Sequence, residues 1–334
     1  MTSIFVQTNE ADRNRVIAFR RAEDGNLDGM QSYETGGAGD GVPHLMSQGS
    51  VLLTGDSARL LVANAGSGDL SVLAVSEDGL ELVQTVASGE APKSIAEHRG
   101  LVFVANTGDA SLVGLRVQDG GLKPIERIEL PAGSDPAQVG FTPDGATLVV
   151  TDRGTDSILL YAVGADGRLA EPETVPSSGP TPYGFAFATD GTLLVTEAFG
   201  AQTGKAAASS YRVQGGTATP VSRSVGNGRS EICWAVVTKD DRYVFTTNFA
   251  DGAVSRYAIG PDGSITLDDA VAATAVEGRT GLRDEALTRD GAFLYAIDAD
   301  SGRIFGWAVG DAGNLRPVGA WGPVPETVAG LAAS

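Results

Sequence analysis

The chain has 334 residues, of which 42% are hydrophobic and 45 are glycine, and it carries a formal charge of −18 at pH 7. That balance describes an ordinary globular core, and it argues against nucleic acid or an anionic membrane as partner, since both need clustered Lys and Arg. Cys233 is the single cysteine, which excludes an internal disulfide, and no apolar run approaches the roughly 18 residues of a membrane span.

The N-terminal residues SIFVQTN enter a strand pattern at once, with no basic n-region and no long apolar h-region. No signal peptide is therefore expected, and a cytoplasmic protein is the default. Along the chain, a polar residue closes an apolar run at Asn9, Asn64, Asn106, Asp152, Glu197, Asn248 and Asp298, at intervals of 55, 42, 46, 45, 51 and 50 residues. The unit between these anchors is clearest over 133–163, GSDPAQVGFTPDGATLVVTDRGTDSILLYAV. A turn at Asp135-Pro136 leads into a strand over 137–142, and Asp144-Gly145 makes a hairpin to a second strand over 147–151. A Gly/Thr/Asp/Ser loop leads to a third strand over 157–163, and Asp166-Gly167 turns into a weaker fourth from Arg168. Four antiparallel strands joined by tight turns cannot bury both faces alone, so the unit has to recur. Seven anchors predict an all-β fold: a seven-bladed β-propeller of four-stranded antiparallel blades, a single domain over 1–334.

The first-to-second strand hairpins fall at Asp56-Ser57, Arg99-Gly100, Asp144-Gly145, Asp190-Gly191, Asp240-Asp241 and Asp290-Gly291. The seventh is missing because the termini stand in its place. The C-terminal GPVPETVAGLAAS reads as an opening strand whose continuation is SIFVQTN. Residues 325–331 are expected to form the innermost strand of the blade built from 4–35 and so to close the ring, which removes an exposed sheet edge. One long insertion, 199–210 (FGAQTGKAAASS), separates a second strand from a third.

The segments LLVANAGSGDLSVLAV, LVVTDRGTDSILLYAV and VFTTNFADGAVSRYAI, with SQGSVLLTGD, DPAQVGFTPDG, PSSGPTPYGFAF and ICWAVVTKDDRYVFTTN, resemble the seven-bladed propeller lactonase family over essentially the entire chain. The resemblance implies relatives such as propeller 6-phosphogluconolactonases and carboxymuconate cyclase. Family enzymes often carry a Pro-His near the start of an inner strand. Here the comparable segment reads DPAQ, with Ala137 and Gln138, and the Pro-His of this chain is Pro43-His44 in another blade.

In a propeller, the loops entering the innermost strands share one mouth of the channel with the loops leaving the second strands. One inner-strand position reads Val51, Ile95, Val139, Phe185, Ala235, Glu285 and Val328, so Glu285 is the charged member of an apolar set. A carboxylate there needs a reason. Either Glu285 or Asp284 forms a structural ion pair with Arg229 or Arg283, or burial raises its pKa and it serves as a general base. In the catalytic reading, Glu285 or Asp284 activates water and Arg283 or Arg229 polarises the lactone carbonyl. Arg153, Lys93, His44, Gln138, Glu231 and Glu197 are the candidate substrate-binding residues at the same mouth. Cys233 reads as core packing and Asp298–Asp300 as a turn. With two histidines far apart and one cysteine, no metal site and no cofactor are expected. Two functions stand: a lactonase-like enzyme that hydrolyses a small sugar or sugar-acid lactone or closes a muconate-type ring, or a non-catalytic propeller that binds a small molecule or protein at the channel mouth. A monomer is expected in either case.

Overall fold

The structure is a computed structural model that describes residues 2–43, 48–118, 120–276 and 278–334. His44 lies outside these residues. The described residues form seven four-stranded antiparallel sheets, each built in chain order from the channel outward, except that the first sheet takes its inner strand from the C-terminus. The inner strands are Val51–Leu53, Pro92–His98, Pro136–Phe141, Pro182–Phe187, Ile232–Val237, Leu282–Leu287 and, for the first blade, Ala329–Ala333. The second strands are the most buried: Thr147–Asp152 and Phe293–Asp298 are buried along their whole lengths. Both faces of such a strand meet a neighbouring blade, which is why it reads as a continuous apolar run such as Leu148-Val149-Val150 and not as an alternation.

The core lies between blades. Ile4, Val6, Ile17 and Phe19 of the first blade pack on Phe293, Tyr295, Ile297 and Ile304 of the seventh. On the other face of the seventh blade, Leu294, Ala296 and Trp307 pack on Phe245 and Val254 of the sixth. Among the described residues no helix is long and apolar enough to cross a membrane.

The polar anchors that end the second strands face inward and are buried. Asn64 Nδ2 donates to Asp69 Oδ1 at 2.6 Å and to Ser71 Oγ at 2.7 Å. Asn248 Nδ2 donates to Ser255 Oγ at 2.9 Å, and Asp152 Oδ1 accepts from the Asp135 and Gly154 N–H groups at 2.8 and 3.0 Å. The repeated polar residue therefore knots the loop between second and third strands, where buried backbone groups need partners.

Two sequence expectations shift in detail. The closing strand is Ala329–Ala333, paired antiparallel with Ser3–Gln7 (Phe5 opposite Ala332, Gln7 opposite Ala329), and not 325–331. Gln7 holds in the first blade the place that Ala296 holds opposite Glu285 in the seventh, so Ala329 occupies the column position assigned to Val328. The insertion after Glu197 is also shorter than it reads. A single 3-10 turn, Phe199–Ala201, precedes a third strand, Ala207–Gln214, whose small residues Ala207-Ala208-Ser209-Ser210 are buried strand and not loop.

Ring closure leads to the first prediction. Removing residues 329–334 strips Ile4, Phe5 and Val6 of their strand partner and opens a sheet edge toward the channel. The truncated chain is expected to lose roughly 3 kcal/mol or more and to aggregate at concentrations the parent tolerates. Denaturant midpoints and light scattering check this.

Candidate functional site

Five inner strands carry the same irregularity. The register shifts by one between Pro92 and Ser94, Pro136 and Gln138, Pro182 and Phe185, Ile232 and Ala235, and Leu282 and Glu285. Such a bulge breaks the two-fold alternation of side chains and re-aims them. In the last three of these blades it presents Tyr183, Cys233-Trp234 and Arg283 to one cavity of about 490 Å³ at the channel mouth. Arg153 and Phe249 join from the positions that directly follow the anchors Asp152 and Asn248, and Glu231, Thr280 and Asp300 come from the entering and leaving loops. Glu231 reaches it from a left-handed backbone, φ 55°, a conformation that costs a non-glycine residue on the order of 1 kcal/mol and that tends to survive at functional sites.

Arg283 is the centre of this cavity. Only 2% of its surface is exposed, and its guanidinium carbon lies 5.8 Å from the Trp234 ring centroid and 5.5 Å from that of Phe249. Burial pulls its pKa down from the ordinary value, but a guanidinium stays cationic at neutral pH in any protein environment. Its Nε and Nη1, and the Trp234 Nε1 beside it, are buried donors with no acceptor among the described residues. Buried donors of this kind ask for an acceptor-bearing ligand or ordered water. Arg153 is held more conventionally: its Nε donates to Asp135 Oδ2 at 2.8 Å and its guanidinium stands 5.7 Å from the Tyr183 ring centroid. The Cys233 thiol donates to the Glu231 carbonyl at 3.3 Å, and burial pushes its pKa up to about 12. It is thus a neutral thiol at pH 7 and a poor nucleophile.

The propeller model of the family described as "Lactonase, 7-bladed beta-propeller" matches residues 118–202 and 195–329, more than half of the chain. The chain belongs to the seven-bladed propeller lactonase family. Among solved structures, the periplasmic gluconolactonase PpgL of Pseudomonas aeruginosa is similar at a TM-score of 0.78 and 18% identity, over 99% of this chain and 98% of that one. A protein of Bacteroides fragilis provisionally described as a 6-phosphogluconolactonase is similar at 0.77 and 18%, over 100% and 98% of the two chains. A Lactobacillus plantarum protein is similar at 0.77 and 17%, over the full length of both. At these identities the structural likeness shows the fold. No curated protein matches the chain.

Within this propeller, Arg283, Arg153 and Glu231 are the sequence candidates that border the cavity. Asp284 and Glu285 do not line it. Asp284 Oδ2 accepts from the Leu331 N–H of the closing strand at 3.1 Å. Burial pushes its pKa up to about 7, against the pull of that bond, of the Arg283 charge and of the Glu285 and Gly49 N–H groups. Glu285 shares a strand face with Leu287, directed at the sixth blade. Both of its carboxylate oxygens are buried without a partner among the described residues, and desolvation, reinforced by Asp284, raises its pKa well above the usual range. Arg229 pairs instead with Asp251 at 2.8 Å, which leaves neither carboxylate the ion pair with Arg229 that the sequence suggested. Lys93 lies 3.9 Å from Asp40, and Gln138 is engaged with the backbone of Phe185. Glu197 accepts from Ser209 Oγ, Ser224 Oγ and the Gly179 N–H at 2.6, 2.7 and 2.9 Å, in a buried knot of its own. Among the described residues no group of three or more His, Cys, Asp or Glu is placed to hold a metal ion.

Asp284 and Glu285 hold their protons more tightly in the folded protein than in the unfolded chain. From about pH 4 upward the unfolded state therefore gains by ionising, and the stability these groups allow falls with rising pH. For Asp284 the fall ends near pH 7, and Glu285 adds to it in the same direction. Each group contributes a slope of at most about 1.4 kcal/mol per pH unit. The double variant Asp284→Asn, Glu285→Gln is expected to flatten this decline, measured as urea midpoints near about pH 5 and about pH 8. Parallel profiles for parent and variant are the outcome that would sink the assignment.

Proposed function

We propose that the chain hydrolyses a small lactone in the Arg283 cavity. The observation that carries this reading is the buried, unmatched set of donors on Arg283 and Trp234, which lines one cavity with the Glu231 carboxylate. The family supports the same reaction class. In it, the lactone carbonyl oxygen accepts from Arg283 and from the Trp234 N–H, donors already desolvated and therefore strong where negative charge develops. Glu231 takes a proton from water as the water oxygen bonds to the carbonyl carbon. When the ring C–O bond breaks, the departing ring oxygen takes that proton, and the product is a hydroxy acid. Arg153, fixed by Asp135, supplies a second positive charge at the wall of the cavity. Glu285, one of the two carboxylates that the sequence offers as base in the catalytic reading, lies in the seam between two blades with its pKa raised by burial.

Turnover measured with a pH indicator on a panel of small lactones tests this. Glu231→Gln and Arg283→Met are each expected to lower kcat by about 10²-fold or more, whereas Glu285→Gln leaves it largely unchanged. Absence of turnover in the parent across the panel, with ligands still bound, would replace the enzyme by a small-molecule binding propeller.

A further inference from the structure

Apart from Arg283, Trp234 and Glu231, which the lactone carbonyl and the water engage, several polar groups of the cavity wall are already committed within the protein. The Gly200 N–H donates to Thr181 Oγ1 at 3.0 Å, the Thr280 hydroxyl donates to Asp300, and Arg153 Nε donates to Asp135 at 2.8 Å. Beyond these groups and the Cys233 thiol, the wall is aromatic or very small. Tyr183 and Trp234 meet edge to face with ring centroids 5.8 Å apart, Phe249 stands across Arg283, and Ala198, Gly200 and Ala201 leave open space between them.

A sugar lactone would bring several hydroxyls into this space. Each gives up hydrogen bonds to water and needs a replacement, and once Arg283, Trp234 and Glu231 are engaged at the lactone group itself the wall offers few. An aryl lactone makes the opposite demand. Its ester oxygens only accept, which matches the donors of Arg283 and Trp234 that have no acceptor among the described residues. Its flat apolar ring matches aromatic edges and faces, which favour offset or edge-to-face contact. We infer that the cavity takes a lactone fused to an aromatic ring in preference to a polyhydroxylated one. This rests on the lactone reading of the site and narrows its substrate class.

The test uses the full chain with two kinds of probe. Turnover is measured on dihydrocoumarin, gluconolactone and 6-phosphogluconolactone, and binding of the dihydroquinolinone lactam, the non-hydrolysable counterpart of dihydrocoumarin, is measured by titration calorimetry. The expected result is a kcat/KM for dihydrocoumarin at least about 10²-fold above that for either sugar lactone. The lactam is expected to bind at the same site, with an affinity reduced about tenfold in Phe249→Ala. Lactam binding without hydrolysis of dihydrocoumarin supports the ring preference and removes the lactonase reading. Preference for a sugar lactone overturns the inference and leaves hydrolysis standing. Failure of the lactam to bind, or binding unchanged by Phe249→Ala, overturns the ring preference as well.

Discussion

The innermost strand of every blade is a sheet edge that faces the channel, and its outward N–H groups have no ladder partner. At one column of this edge the structure provides an acceptor in five of the seven blades. The Ile95 N–H donates to the Gly49 carbonyl at 2.8 Å, Val139 to Ser94 Oγ at 3.1 Å, Phe185 to Gln138 Oε1 at 2.6 Å and Ala235 to Gln48 Oε1 at 3.2 Å. For Glu285 the acceptor is the neighbouring Asp284 carboxyl, which also holds Leu331. An unpaired buried N–H costs about as much as a lost hydrogen bond, so these acceptors are a condition for packing seven edges around one axis. They also explain why Asp284 and Gln138 look like site residues from the sequence: both are polar, both lie at the channel, and both serve the backbone.

The bulge that precedes this column divides the labour. In three of the five blades the residue after it (Ser94, Gln138 or Asp284) caps an edge, and the residue within it is free to differ among blades: Lys93, Ala137, Tyr183, Cys233 and Arg283. Three of these five line the cavity. The site is thus a local specialisation of a repeated irregularity, concentrated from the fourth to the seventh blade, and it leaves the hydrogen-bonding scheme of the ring intact.

Much of the fold was legible because turns and strand periods are local. Asp-Gly hairpins and polar strand ends locate the blades from residue identity alone, and the absent seventh hairpin reveals where the ring closes. The extent of the closing strand was less legible, since a bulge beside Gln7 shifts the register and nothing in GPVPETVAGLAAS marks it. The site was half legible. Arg283, Arg153 and Glu231 stand out as charges at the mouth that holds the cavity, but alternation leaves open which of Asp284 and Glu285 reaches the channel, and only packing against the sixth blade shows that Glu285 faces a seam. Trp234 and Phe249 are not among the candidates that the sequence offers. A signal for Phe249 was present: the positions directly after the anchors hold Ala65, Thr107, Ala198 and Ala299 in other blades, and only Arg153 and Phe249 are large among the cavity blades.

Gln48 caps the sixth blade from the far side of the axis. Its Nε2 donates to the Ala235 carbonyl at 3.0 Å, and its own carbonyl accepts from Ser94 Oγ of the third blade at 2.6 Å. In the fifth blade Gly184 makes room for it: a Cβ there would collide with Gln48 Oε1 and the Cys233 carbonyl. The side chain spans the middle of the ring like a crossbar. Gln48 therefore ties the second, third and sixth blades to one another across the axis, so that a change at this one position would be felt on both sides of the ring.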